Sequence, residues 1–362
     1  MKAAQFFAKG DIRVVDVSKP QPKDHEAVVA IEWCGICGSD LHEYEYGPIG
    51  MSPPERPHPA TGEHIPLTMG HEFAGRVVSA PPSSNLTEGQ AVMVDPRIYC
   101  SQCSRCTTGS THGCTTLGFR GLNGGGGGFS KFVAVDAKLC YPLPDDVDLS
   151  LAALIEPLAV AWHAVASCDV PDWANKSSLI LGGGPIGIAC AIVLRARGCK
   201  QIFISEPTST RAEQNKQVAN AVFNPINENI GEKCRALTNG EGVDVAFDCA
   251  GVQKGFDAGM DALRHHGLYM NVAAWGTPMV IPFIHYILKE ITTKCAFAYT
   301  DQHFRETVDA FLAGEFENTA SMVTSRIQLD DIKEKGFEEL VRHKDNHIKI
   351  MVTPKEADAG HA

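Results

Sequence analysis

Between Lys176 and Ala273, five short apolar runs alternate with four stretches of helical length, and this alternation restricts the possible folds more than any other feature of the sequence. The runs 178–181, 201–205, 221–223, 243–249 and 268–273 are apolar on both faces and bounded by glycine or polar residues. Strands of a parallel sheet read this way when helices cover both of its faces. The intervening 185–197, 208–218, 227–237 and 252–264 have helical length and composition. A doubly wound α/β sheet is expected.

Gly182-Gly183-Gly184-Pro185-Ile186-Gly187 fits G-x-G-x-x-G; it follows the first of these strands, opens the first helix, and is answered 19 residues after Gly187 by Glu206. That context marks a dinucleotide site. Gly182 permits the tight turn, Gly184 lets backbone approach a pyrophosphate, and Gly187 lets helix and strand pack closely. Pro185 and Ile186 begin the helix whose amino terminus receives phosphate. Glu206 would accept hydrogen bonds from the adenosine ribose hydroxyls and repel a 2′-phosphate, favouring NAD over NADP. Arg211 lies nearby and could instead welcome that phosphate, or be an exposed helix residue.

The first 155 or so residues are rich in proline and glycine, with β-prone runs at 27–33, 75–79, 91–95 and 129–135 separated by turn clusters. They predict a β barrel or an irregular β domain. Beyond residue 290 or so the alternation weakens, and a charged helical stretch leads to an apolar strand, 348–352. The simplest topology returns this segment to the first domain. Glycines 124–128 precede a strand rather than a helix, so they predict a flexible loop and not a phosphate cradle.

The chain has 13 cysteines, an odd count for a disulfide framework. Cys100, Cys103, Cys106 and Cys114 are spaced C-x2-C-x2-C-x7-C in a segment dense with Ser, Thr and Gly, where four unliganded thiols would lack apolar packing. The spacing suits a closed tetrahedral zinc site. An iron–sulfur cluster is the competitor, although no proline follows the fourth cysteine. Metal-bound thiolates imply a reducing compartment. Cys34, Cys140, Cys190 and Cys249 lie on apolar elements and read as core thiols.

A third constellation joins Cys37-Gly38-Ser39-Asp40-Leu41-His42, Gly70-His71-Glu72 and Glu156-Pro157. A catalytic zinc takes about three protein ligands and keeps one position open. Cys37, His71 and a carboxylate from Glu156 or Glu72 would supply them.

These motifs, with the four-cysteine run and the glycine loop, occur in the order seen in the zinc-dependent medium-chain alcohol and polyol dehydrogenases, which the chain resembles over nearly its whole length. Glu156-Pro157-Leu158-Ala159-Val160-Ala161, where alcohol dehydrogenases of the family carry a cysteine ligand, looks like the sorbitol and butanediol dehydrogenase branch. The segments 271–276, 336–340 and 348–354 look most like the butanediol dehydrogenases. The resemblance implies a GroES-like β-barrel catalytic domain over 1–157, completed by 295–354, an NAD-binding Rossmann domain over 158–294, and a polar, disordered tail over 355–362. It implies two zincs per subunit: a catalytic one at Cys37, His71 and Glu156, with Glu72 able to bind directly or through water, and a structural one at Cys100, Cys103, Cys106 and Cys114. Asp40 would orient the histidine ligand, Ser39 would be the hydroxyl beside the substrate oxygen, and His42 the outer end of a proton relay. The implied reaction is NAD-linked oxidation of a secondary alcohol or vicinal diol, such as (R,R)-2,3-butanediol to acetoin, and its reverse. Sorbitol, another polyol or L-threonine is the alternative substrate within the class. The stretch 47–63, with five prolines, matches no motif; the resemblance implies that it lies where family members carry substrate-pocket residues. A homodimer or homotetramer is implied.

A net charge of −11 argues against partners such as nucleic acid or an anionic membrane surface. No apolar run reaches the roughly 18 residues of a membrane span; 187–194 is the longest candidate and stops at Arg195. No signal-like leader precedes the first strand, so a cytoplasmic enzyme is expected. A non-catalytic zinc protein, with the four-cysteine run as a binding ribbon, is the reading from another class.

Overall fold

The alternating region folds into a six-stranded, wholly parallel sheet in the spatial order Ala221–Phe223, Gln201–Ser205, Ser177–Leu181, Val243–Asp248, Leu263–Asn271, Thr292–Cys295. Residues 1–355 are described by this computed structural model, so the tail expected over 355–362 lies outside the described residues apart from Lys355. Ser177–Leu181 is buried along its whole length, as the unbroken apolar run requires. The strand order reverses beside it, and the glycine loop leaves its carboxyl end, where such sheets bind ligands. Helix Pro185–Ala196 begins with proline in its first turn after an extended Gly184. Helix Ile230–Leu237 is capped by the Asn229 side chain, which accepts from the Glu232 amide at 3.1 Å. Leu179, Phe203, Phe256, Met260 and Tyr269 form the core under helix Gln253–Ala262.

Two strands differ from expectation. The helix predicted to reach residue 264 stops at Ala262, and the next strand begins at Leu263 rather than 268. Leu263 pairs with Val243 but Leu268 pairs with Val245, so the intervening polar residues Arg264 to Gly267 form a bulge that hid the strand's start. The edge strand Thr292–Cys295 has polar, largely exposed side chains and so carries no apolar signal.

Met1–Glu156, Thr300–Val308 and the described residues 323–355 form one compact unit; Pro157–Tyr299 and Asp309–Met322 form the other. The predicted return of 295–354 to the first unit is therefore interrupted. Phe316 packs edge-on against Trp162 at 6.0 Å, and Asn318 Nδ2 donates to the Gln217 carbonyl at 3.2 Å, which ties 309–322 to the second unit.

In the first unit Glu26–Gly35 is the central strand of a seven-stranded sheet, pairing antiparallel with Glu72–Ser79, Phe132–Asp136 and Lys349–Thr353. Lys2–Ala8 and Asp11–Asp16 make a hairpin in a second, three-stranded sheet. Phe6, Phe73, Phe129, Val133 and Phe337 form the shared core. The glycine run is built in rather than free: the Gly128 amide donates to the Gly70 carbonyl at 2.8 Å, and a Cβ on Gly127 would stand 2.4 Å from the Met69 carbonyl. The stretch Leu149–Ala166 is in fact 18 residues long and apolar enough to cross a membrane, despite Glu156 and His163; 83% of it is buried in the protein, as in a core helix.

Candidate active site

Cys37 ends the central strand's extension and caps helix Gly38–Tyr46, so the helix's first turn carries Ser39 and Asp40 beside it. His71 and Glu72 enter from the start of the neighbouring strand. One ligand atom each from Cys37, His71 and Glu72 lies within 4.8 Å of the other two. Asp40 fixes the corner: its Oδ2 accepts from the Cys37 amide at 2.9 Å, and its Oδ1 stands 3.5 Å from His71 Nδ1. Both of those facing atoms are buried and lack a hydrogen-bond partner. With Nδ1 turned toward the carboxylate, Nε2 faces outward, and the Ser39 hydroxyl is 3.2 Å from it. Burial works against charge on His71, but Asp40 and Cys37 hold its pKa well above the ordinary value. An imidazole wedged among anionic groups, with orphaned polar atoms around it, fits a cation bound by nitrogen and sulfur.

Lys349 completes the cluster. Its Nζ donates to both Glu72 carboxylate oxygens at 2.7 Å and to the Ile36 carbonyl at 3.2 Å. Burial opposes its charge, yet Glu72, with Cys37 and Glu156 beyond, raises its pKa above that of a free lysine. Sequence reasoning passed over Lys349; the signal was a single charge inside the apolar strand 348–352. Glu156 is buried in the first turn of helix Ile155–Ala166, outside the group of three that approach within 4.8 Å. His42 is exposed, one turn after Ser39, with its ring centre 6.4 Å from that of Tyr46.

The proline-rich stretch after this helix is anchored to it. The buried Glu43 carboxylate accepts from the amides of Ile49 at 2.8 Å, Gly50 at 2.5 Å and Met51 at 3.1 Å.

Cys100, Cys103, Cys106 and Cys114 converge, with Sγ separations of 3.5 Å for Cys103–Cys106, 3.5 Å for Cys114–Cys100 and 4.0 Å for Cys100–Cys106. Thiolates about 2.3 Å from a tetrahedral zinc stand about 3.8 Å apart, so the set fits that ion. Backbone amides, that of Thr115 foremost, pull Cys103 down to about 5, whereas burial pushes Cys106 up to about 12. The lobe is tied down through Arg97, wholly buried, which donates to Asp95, to Thr111 within the lobe at 3.0 Å and to Asp301 at 2.7 Å. All 13 cysteines are free thiols.

In the second unit Gly182 adopts φ +94°, and a Cβ on Gly187 would stand 1.9 Å from the Gly182 carbonyl. Glu206 is buried and accepts from the Gly183 amide at 2.8 Å and the Thr208 amide at 2.9 Å, bracing the loop. A Cβ on Gly184 would stand 3.7 Å from Arg211 Nη1, so the guanidinium borders the loop. Asn215, which sequence reasoning missed, is fully buried with both side-chain polar atoms unpartnered, and a Cβ on Gly183 would collide with its Nδ2. The space beside Gly184 and the unpartnered Asn215 Nδ2 donor fit a dinucleotide pyrophosphate. Asp248 braces the neighbouring loops: it accepts from the Ala250 and Gly251 amides at 2.9 Å, Tyr269 at 2.8 Å and Trp275 at 3.0 Å.

Residues 23–145 match the alcohol dehydrogenase GroES-like domain, and residues 185–313 match the zinc-binding dehydrogenase family. The chain is 37% identical to an (R,R)-butanediol dehydrogenase of Neisseria gonorrhoeae, covering 98% of this chain and 99% of that one. It is 36% identical to an (R,R)-butanediol dehydrogenase of Saccharomyces cerevisiae, covering 98% of each. The crystal structure of 2R,3R-butanediol dehydrogenase from Bacillus subtilis superposes with a TM-score of 0.90 at 34% identity, covering 98% of this chain and 99% of that one.

Proposed function

The chain belongs to the zinc-binding dehydrogenases with an alcohol dehydrogenase GroES-like domain, and from that membership we propose that it oxidises (R,R)-2,3-butanediol to acetoin with NAD, reversibly. The observation that carries the reading to this chain's own residues is the Ser39 hydroxyl, 3.2 Å from Nε2 of His71 in the buried Cys37–His71–Glu72 cluster. Cys37 and His71 would hold the catalytic zinc with Glu72 or Glu156, and the four cysteines a second, structural zinc. Bound there, the metal supplies a Lewis acid that acidifies an alcohol, and NAD supplies the hydride acceptor.

The chain's own residues do the rest. Asp40, 3.5 Å from His71 Nδ1, would favour the tautomer with the proton on that nitrogen and so leave Nε2 as the nitrogen that would hold the metal. Ser39 would accept the hydroxyl proton of the substrate as its own hydroxyl proton leaves, and exposed His42 would deliver a proton to solvent at the outer end of the relay. Glu206 and the glycine loop hold the adenosine half of NAD. Glu43 fixes residues 49–51, so the following stretch presents a fixed wall to the diol. The free thiols are in keeping with the cytoplasm.

The proposed assembly is a homodimer. Val280, Phe283, Ile287 and Leu288, each about 70% exposed, lie in the segment that leads into the sheet's edge strand Thr292–Cys295, a surface that a second copy would cover symmetrically. Ile287→Asp with Leu288→Asp should then halve the sedimentation mass.

The test of the reaction is NADH formation by the zinc-loaded protein with each stereoisomer of 2,3-butanediol, sorbitol, xylitol and L-threonine. Turnover of the (R,R) isomer above the others supports the proposal. Preference for a polyol or threonine discards the substrate and keeps the chemistry; no turnover with any of them overturns the reading.

A further inference from the structure

A cluster of metal-ligating side chains lies far along the Rossmann sheet from the glycine loop. One ligand atom each from His265, His266 and Glu290 lies within 4.8 Å of the other two, and all three side chains are exposed. The glycine loop leaves the carboxyl end of a strand, whereas these residues stand at the amino ends of the last two strands. The two strands begin to pair at Leu268 and Thr292, and His266 and Glu290 each lie two residues before that first pair.

Adjacent residues of a strand point to opposite faces, so His265 and His266 should not share a ligand. The bulge removes that obstacle. His266 takes φ +56°, a left-handed conformation rare for a residue with a Cβ, and the two rings meet edge to face at 4.1 Å. Glu290 is also left-handed, at φ +48°, and its Oε2 stands 3.4 Å from His266 Nδ1. Each side of the cluster is fastened. Lys289 Nζ donates to the carbonyls of Met260 at 2.9 Å, Asp261 at 2.7 Å and Leu263 at 2.8 Å, which fixes Glu290 against the start of the bulge. Arg264 Nε donates to Asp244 at 2.9 Å, which turns the guanidinium next to His265 in sequence toward that carboxylate.

We propose that His265, His266 and Glu290 form a binding site for a divalent transition-metal ion, zinc by its ligand chemistry, separate from both zinc sites of the dehydrogenase. Two imidazoles and one carboxylate suit zinc or nickel rather than calcium or magnesium, and leave positions for water. Ligands about 2.1 Å from zinc stand about 3.4 Å apart, within reach of small side-chain rotations here. Bound metal joins the bulge to the residue preceding the edge strand, and so stabilises that edge of the sheet.

The experiment uses the whole protein, first saturated with zinc and freed of excess by gel filtration, then titrated with zinc by calorimetry and with Cu²⁺ by electron paramagnetic resonance. The comparison is the double variant His265→Ala with His266→Asn, in which asparagine tolerates the left-handed backbone. The expected result is one further equivalent in the wild type, absent from the double variant, and a copper spectrum with hyperfine coupling from two nitrogens. Glu290→Gln should weaken that equivalent by roughly tenfold or more. Alcohol oxidation at fixed active-site zinc should be unchanged in every variant. The same stoichiometry in wild type and double variant, or no further equivalent at millimolar zinc, overturns the proposal.

Discussion

Lys349 and Glu72 form an ion pair with both carboxylate oxygens 2.7 Å from the ammonium, and each side chain is at most 1% exposed. The pair joins the last strand of the first unit to the strand that begins at the Cys37–His71–Glu72 cluster. Removing one partner leaves the other charged and buried, which typically costs about 3–5 kcal/mol. Lys349→Met is therefore expected to lower the denaturant midpoint of the zinc-loaded protein substantially, while Lys349→Arg retains most stability. A methionine variant as stable as the wild type would show that Glu72 is held by something other than Lys349.

The two cysteine clusters predict opposite phenotypes. Cys37→Ser should abolish alcohol oxidation and release one zinc with little change in thermal unfolding, because the surrounding strands pack on their own apolar core. Cys103→Ser should chiefly destabilise, since the lobe from 100 to 114 has few buried side chains apart from Thr111 and Cys114 and depends on its ion and on Arg97. Zinc content and melting temperature measured on the same samples check both; full turnover by Cys37→Ser would refute the active-site assignment.

The parallel sheet was legible because its strands are apolar on both faces and its first turn is a glycine fingerprint. The edge strand was not, because Thr292, Thr293 and Cys295 face solvent and Lys294 is tied by a hydrogen bond to the Ser167 carbonyl. The four cysteines were legible from spacing within one loop. Cys37, His71 and Glu72 were candidate ligands by residue type but were joined into one site only through resemblance, since antiparallel pairing of Gly35 with Glu72 brings them together across 35 residues or so. Lys349 lies farther still along the chain and joins through the strand pair Met351–Gly35, a register that no local pattern encodes. The bulge at 264–267 was misread because its polar residues continue the helical pattern before it.

Acid should loosen the start of the strand Ser177–Leu181 through Asp244. Burial raises that carboxyl, but the Ser177 amide at 2.9 Å and the Arg264 and Lys176 charges hold it below the usual carboxylate value. A folded pKa below the unfolded one stabilises above about pH 4, and that contribution disappears as pH falls through the lower folded value. Asp244→Asn should therefore speed amide exchange of this strand at about pH 6, and the difference from wild type should narrow toward about pH 3. A difference independent of pH would assign the effect to packing.

Cofactor choice is proposed to turn on Glu206. Its two oxygens each accept one backbone amide, from Gly183 and Thr208, and each retains a lone pair for a ribose hydroxyl. A 2′-phosphate would meet this buried carboxylate at close range, whereas Arg211, bordering Gly184, would attract it. Charged hydrogen bonds of this kind contribute about 1.5–3 kcal/mol, so Glu206→Ala should raise the KM for NAD by roughly 10- to 100-fold. The same substitution removes the repulsion, so turnover with NADP should appear, and adding Arg211→Ala should abolish it. If the single variant still rejects NADP, the selectivity resides in the shape of the ribose pocket and not in the charge of Glu206; if the double variant keeps NADP turnover, Arg211 has no part in binding the phosphate.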